Sequence, residues 1–238
     1  MDTFDTGRHI SGRFNAELDT VRNHVMQMGG LVEQQLKDAL ASVSENNEEL
    51  ARKVLSSDYK INKMEVDIDE ECTRIIAKRQ PAASDLRLVM AIIKTIADLE
   101  RIADEAEKIS KVALEQFTVK QKDFLLNLDS LGRLVLSTLQ ATLDAFTRMD
   151  FDAALKVHQS DNRIDREYEA LMRQLMTYMM EDPRSIPSIM SVIWSARALE
   201  RIGDRCQNIC EYVIYFVKGK VIRHISEEDV ARDFLGEI

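Results

Sequence analysis

Apolar residues recur at steps of three and four along almost the whole chain. The clearest run is Ile92, Thr95, Leu99, Ile102, Ala106, Ile109 and Ala113, and Val192, Ser195, Leu199, Ile202, Cys206 and Ile209 repeat it 100 residues later. Such spacing lines one face of a helix as a coiled-coil-like seam, so both runs are expected in the core. Polar and helix-breaking residues cut the pattern into six predicted helices, at about 9–43, 48–79, 84–117, 123–148, 151–180 and 185–218. The cuts have chemical causes. ENNEE (45–49) offers Asn and Glu at a helix start. Pro81 stops the second helix and Ser84 can cap the third, while Met149-Asp150-Phe151-Asp152 reads as a tight connection with an aspartate cap. Pro183 repeats the role of Pro81.

The six segments are two sets of three. At an offset of 103, Gly29, Leu31, Val32, Leu36 and Leu40 match Gly132, Leu134, Val135, Leu139 and Leu143. At the same offset Ala51, Lys53, Val54, Ser57, Asp58 and Ile61 match Ala154, Lys156, Val157, Ser160, Asp161 and Ile164. Further on the offset becomes 100, and LERIAD (99–104) returns as LERIGD (199–204). Matches in three successive segments mark a tandem duplication. Short connections between long helices favour antiparallel neighbours. The expected fold is therefore all-α, a tandem duplication of two antiparallel three-helix bundles, residues 1–118 and 119–238, set end to end.

Composition agrees. The 238 residues include only 8 Gly and 3 Pro, so helix breakers are scarce. A net charge of −9 would repel a nucleic acid and argues against direct binding to one. Cys72, Cys206 and Cys210 make an odd count without a secretory framework, which suits small buried residues in a reducing compartment. The opening MDTFDTGRHISGRF has no apolar core segment, so no signal peptide is expected in it. No apolar run reaches membrane-spanning length, and a cytoplasmic protein follows.

Once Leu99 and Ile102 are assigned to the core, LERIAD leaves Glu100 and Asp104. Four apart, their carboxylates share a helix face beside the seam. The same flank carries Val89, Ile93 and Ala97, and in the second copy Ile189, Ile193 and Arg197, so an apolar flank of the first copy turns acidic at mid-helix. Two readings follow. One is a solvated acidic face neutralised by neighbours such as Arg101 or Lys108. The other is a site for a hard cation, completed from the preceding helix by Asp58 and Asn62 in the first copy and by Asp161 and Asp165 beside Glu200 and Asp204 in the second.

Other chemistry finds little footing. None of the four histidines follows a glutamate by three residues, so the ExxH ligand pair of di-iron bundles is missing. Phosphate-loop, dinucleotide and nucleophile-elbow motifs are absent. Trp194 and the Met-rich LMRQLMTYMMED (171–182) are expected to pack in the core. A carboxylate-bridged metalloenzyme is the alternative class, without a recognisable nucleophile or general base to support it.

QPAASDLR (80–87), DLERIADEAEKI (98–109), LERIGDRCQNI (199–209) and DYKIN (58–62) together resemble the PhoU family of phosphate-specific transport accessory proteins, over nearly the whole chain. The resemblance implies a non-enzymatic, negative regulator of the phosphate-starvation response. Its partners would be the ATPase subunit of the phosphate ABC transporter and a phosphate sensor histidine kinase, met at the inner membrane by a cytoplasmic homodimer. It also implies divalent or iron-type metal ions on the acidic motifs, here Asp58, Glu100 and Asp104, then Asp161, Asp165, Glu200 and Asp204. Asn62 departs from the acidic pattern. Arg101 and Arg201, inside the same motifs, are candidate partner contacts.

Overall fold

The computed structural model describes residues 12–114, 122–160 and 162–223. In order these form α1 (Gly12–Ser44), α2 (Glu48–Ser57), α3 (Tyr59–Arg79), α4 (Ala83–Val112), α5 (Lys122–Arg148), α6 (Phe151–Gln159), α7 (Asn162–Glu181), a 3₁₀ turn (Pro183–Ser185) and α8 (Ile186–Lys218). No strand occurs among the described residues. The expected boundary at 118/119 lies outside them.

Several ends are closed as the sequence suggests. Asn47 accepts a hydrogen bond from the Leu50 amide at the start of α2, and Asp150 accepts one from the Ala153 amide at the start of α6. Gln80 turns left-handed after α3 and its amide returns to Ile76, just before Pro81. Ser84 does not cap α4: the helix begins one residue earlier, Ala82 takes the cap position, and no side chain bonds there.

The bundles are not end to end. α1, α4, α8 and α5 pack in a ring, each against the next, with α2 and α3 on the outside of one half and α6 and α7 on the outside of the other. All members of the two seams are buried in one continuous apolar cluster that runs through both halves, apart from Thr95 and Ser195, which are buried polar members. The physical reason is the width of the apolar faces. A seam flanked by Val89 and Ile96, or by Ile189 and Val213, is too broad for two neighbours of its own bundle to cover, and the other half supplies the remaining cover.

Two close approaches fix the register between halves. A Cβ at Gly132 would sit 2.4 Å from Leu40 Cδ2, and one at Gly29 would sit 2.8 Å from Leu143 Cδ2. Position 29 is the repeat of 132 and 40 the repeat of 143, so α1 and α5 interlock by the same knob and hole used twice. Helical glycine costs roughly 0.5–1 kcal/mol against alanine, and here that cost makes room for the leucines.

Polar groups pin the same register between the third helices. Asp98, almost fully buried on α4, accepts hydrogen bonds from Tyr212 (2.9 Å), Arg205 (3.4 Å) and Asn208 (3.5 Å) of α8. Arg201 reaches Glu105 at 3.3 Å. Rising numbers on one helix meet falling numbers on the other, so α4 and α8 run antiparallel.

Two expectations about the core are corrected. Trp194 is 65% exposed and Met180 76% exposed. Trp194 falls on a polar slot of α8, where its repeat partner on α4 is the exposed Lys94, and Met180 falls on the outer side of α7. Cys72, Cys206 and Cys210 are buried and reduced, as expected.

Replacing Gly132 by Leu is expected to cost about 1–3 kcal/mol in urea denaturation, because the leucine must displace Leu40. Gly30 faces open space, and Gly30→Ala should instead gain up to about 1 kcal/mol from helix propensity. Equal effects at the two positions would refute the interlock.

Candidate functional site

The second helix predicted in each half is broken at the same place. α2 gives way to α3 at Asp58, and α6 ends at the turn residue Ser160, the position before Asp161. Ser57 Oγ donates to the Val54 carbonyl at 3.0 Å, and Ser160 Oγ donates to the Val157 carbonyl at 2.8 Å. These are equivalent bonds, and hydroxyls that bond back to their own helix loosen it. The Ile61 amide then takes the Asp58 carbonyl at 2.9 Å, three residues back rather than four. The backbone tightens into a 3₁₀ hitch, a common mark of a functional position inside a helix.

The hitch brings Asp58 to α4. Asp58, Asp104 and Glu107 each present a carboxylate oxygen, and the three oxygens lie within 4.8 Å of one another. Asp58 is held by two amides: Gln35 Nε2 at 3.3 Å and Asn62 Nδ2 at 2.9 Å. Gln35 also donates to the Ala103 carbonyl, tying α1, α4 and the hitch together. The amide oxygen of Asn62, Oδ1, is buried with no hydrogen-bond partner.

The electrostatics are those of crowded acids. Burial pushes the Glu100 carboxyl upward, and Asp104, Glu65 and Asp58 add to the rise. Asp104 is raised by burial and then by Asp58, with Lys108 acting against the shift. Glu65 is raised by burial and then by Asp69. Among the described residues no lysine or arginine comes within ion-pair distance of Glu100 or Asp104. Three converging carboxylates and a stranded amide oxygen are the donors a hard cation takes, so the residues fit a metal ion.

The second half is arranged differently. Asp165 and Asp204 are exposed and Glu200 is half-buried, while Asp161 lies outside the described residues. Glu200 is raised by burial and by Asp204, while Asp204, exposed as a residue but with its carboxyl partly shielded from water by its neighbours, is raised by that desolvation and then by Asp165. Here, however, Arg197 pairs with Glu200 at 2.6 Å. Glu200 Oε2 is left buried without a partner.

Of the residues singled out from sequence, Asp58, Asn62 and Asp104 come together, with Glu100 one turn away on the same face. Arg101 is exposed beside Glu65 and Glu100, and Arg201 is tied to Glu105 between the halves. Glu65 and Glu107 were not singled out. The signal was present, because 65 continues the face of 58 and 62, and 107 that of 100 and 104, at steps of three and seven.

Known proteins share this fold. The PhoU domain model matches residues 25–113 and 128–213, one match in each half. The chain is 53% identical over 237 residues to the phosphate-specific transport system accessory protein PhoU of Escherichia coli K12, covering 100% of this chain and 98% of that protein. It is 56% identical over 226 residues to the protein of the same name from Serratia marcescens, covering 95% and 93%. The crystal structure of PhoU from Pseudomonas aeruginosa superposes with a TM-score of 0.81 at 49% identity, covering 87% of this chain and 100% of that one. The Streptococcus pneumoniae phosphate transport system regulatory protein PhoU gives 0.78 at 31% identity, covering 87% and 98%. With a duplicated bundle, a domain match on each copy and relatives alike along their whole length, the chain belongs to the PhoU family.

Proposed function

We propose that this chain is a non-enzymatic accessory regulator of phosphate-specific transport that holds the phosphate-starvation response off when phosphate is plentiful. In this reading it couples the ATPase subunit of a phosphate ABC transporter to a phosphate sensor histidine kinase. It works as a homodimer in the cytoplasm and meets the inner membrane through those partners. The observation that carries the reading is the likeness, over essentially the whole chain, to proteins named as accessory to phosphate-specific transport. No helix among the described residues is long and apolar enough to cross a membrane, which suits docking onto membrane partners. The net charge of −9 speaks against nucleic acid as the target. The metalloenzyme alternative has no comparable support, since the relatives are named as accessory proteins.

The acidic face of the first half is read as a cation site. Asp58, Asp104 and Glu107 would hold a divalent or iron-type ion, with Asn62 Oδ1 as a neutral donor and Glu100 beside them. The ion would supply charge neutralisation and a cross-link between the hitch and α4. On the second half the corresponding residues are Asp161, Asp165, Glu200 and Asp204.

Deletion of the gene from its own bacterium should give alkaline phosphatase expression in phosphate-rich medium, and reintroduction should restore repression. Unchanged repression in the deletion strain would contradict the regulatory reading.

Elemental analysis of protein purified without chelator should find metal that Asp58→Ala and Asp104→Ala each lose. Metal absent from the unmodified protein, or unaffected by both changes, would return the cluster to a solvated acidic face.

The raised carboxyls set a pH dependence. Below their ordinary range, about pH 4, they are protonated in both folded and unfolded states, and their contribution to stability is fully present. As pH rises through their raised values, the folded state must ionise against its neighbours and that contribution is lost. Asp104→Asn, which cannot ionise, should therefore gain stability relative to the unmodified protein as pH rises, in denaturation with chelator present. A difference that does not change with pH would show that the acids are not coupled.

A further inference from the structure

The two acidic faces are copies, and the places where they differ are charged. At the offset of 103, Glu65 of the first face corresponds to Tyr168 of the second. At the offset of 100, Ala97 corresponds to Arg197 and Glu107 to Gln207. The second face has thus lost two carboxylates, gained one at Asp165 where the first has Asn62, and gained a guanidinium.

Two of these changes, Arg197 and Tyr168, meet in space. Arg197 Nη1 donates to Glu200 Oε1 at 2.6 Å, and the Glu200 side chain is only 14% exposed. The same guanidinium lies over the ring of Tyr168, 6.0 Å from its centroid. An aromatic face attracts a cation, and a guanidinium keeps its charge at any pH a folded protein meets. The other guanidiniums near Asp204 are engaged across the interface, Arg201 with Glu105 and Arg205 with Asp98. In the first half Ala97 reaches none of this. Glu65, in the position of Tyr168, adds negative charge beside Glu100 and Asp104.

We propose that Arg197 is the resident cation of the second acidic face, so that a divalent ion binds at the first face alone and the side chain at 97 or 197 decides which face takes one. The inference rests on the cation-site reading of the first half. It makes the duplication functionally unequal: one copy answers to the metal in its surroundings, and the other carries its own charge compensation.

The test is Mn²⁺ titration of the full chain, by calorimetry and by the electron-spin signal of free ion. The unmodified protein should bind at a face that Asp104→Ala destroys, and Glu200→Gln should leave the number of ions bound unchanged. Arg197→Ala should add one ion, and Glu200→Gln on top of Arg197→Ala should remove it again. Ala97→Arg should abolish binding at the first face. Arg197→Met, which keeps the aliphatic stem over Tyr168, carries the same expectation if the alanine variant does not fold. Loss of an ion in Glu200→Gln alone, or no gain in either Arg197 variant, overturns the proposal. If the unmodified protein binds no Mn²⁺, the first-half reading fails by itself. The Arg197 variants still decide the second face: a gained ion upholds the resident cation, and no gain overturns it.

Discussion

The burial of α4 against α8 is the interaction on which everything else in this molecule depends. Each helix carries an apolar face too wide for its own bundle, and each covers the other's remainder. A large apolar side chain contributes about 1.5–3 kcal/mol when fully buried, so the paired seams outweigh any polar contact in the molecule. That gain must offset a backbone ordering cost of about 1–2 kcal/mol per residue, which leaves little margin for a half standing alone. The polar contacts along the same interface set register. Asp98 is almost fully buried, and removing its partners on α8 would strand a charge at a cost of about 3–5 kcal/mol. A slipped pairing of the two helices would carry that penalty, so the native alignment is favoured over its neighbours.

The acidic face is a consequence of this frame. α4 is held from one side by α8 and from the other by α1 and α3, so its outward flank is fixed. Gln35 of α1 carries that rigidity to Asp58, bonding both its carboxylate and the Ala103 carbonyl. The serine-loosened hitch does the rest, aiming Asp58 at Asp104 and Glu107 instead of along the α2 axis. Crowded carboxylates cost stability where they stand. A rigid frame can carry that cost, and a cation that relieves it gains a binding site shaped beforehand.

Much of this was legible in the amino-acid sequence because helical periodicity is a local signal. The seams, the caps at Asn47 and Asp150, and the duplication follow from spacing and residue type alone. The pairing of Asp58 with Asp104 was legible because each acid recurs in its copy. Side-by-side packing was not, since nothing local says which apolar flank meets which. The break at Asp58 was hidden because Ser-Asp is tolerated within helices, and its effect depends on where the serine hydroxyl turns. Trp194 misled for a related reason: an indole predicts burial only when its slot faces the core, and this slot belongs to Lys94 in the other copy. Arg197 was visible on the flank of the acidic pair, but its role needed the distance to Glu200 and the ring of Tyr168.

The claim that both halves share one core is tested most directly by native-state hydrogen exchange. Amides at 99–109 of α4 and 199–209 of α8 should exchange through one common opening, with the same free energy as global unfolding and the same denaturant dependence. Release of either segment at a distinctly lower free energy, with the other still protected, would mean that the halves fold independently and would contradict the account.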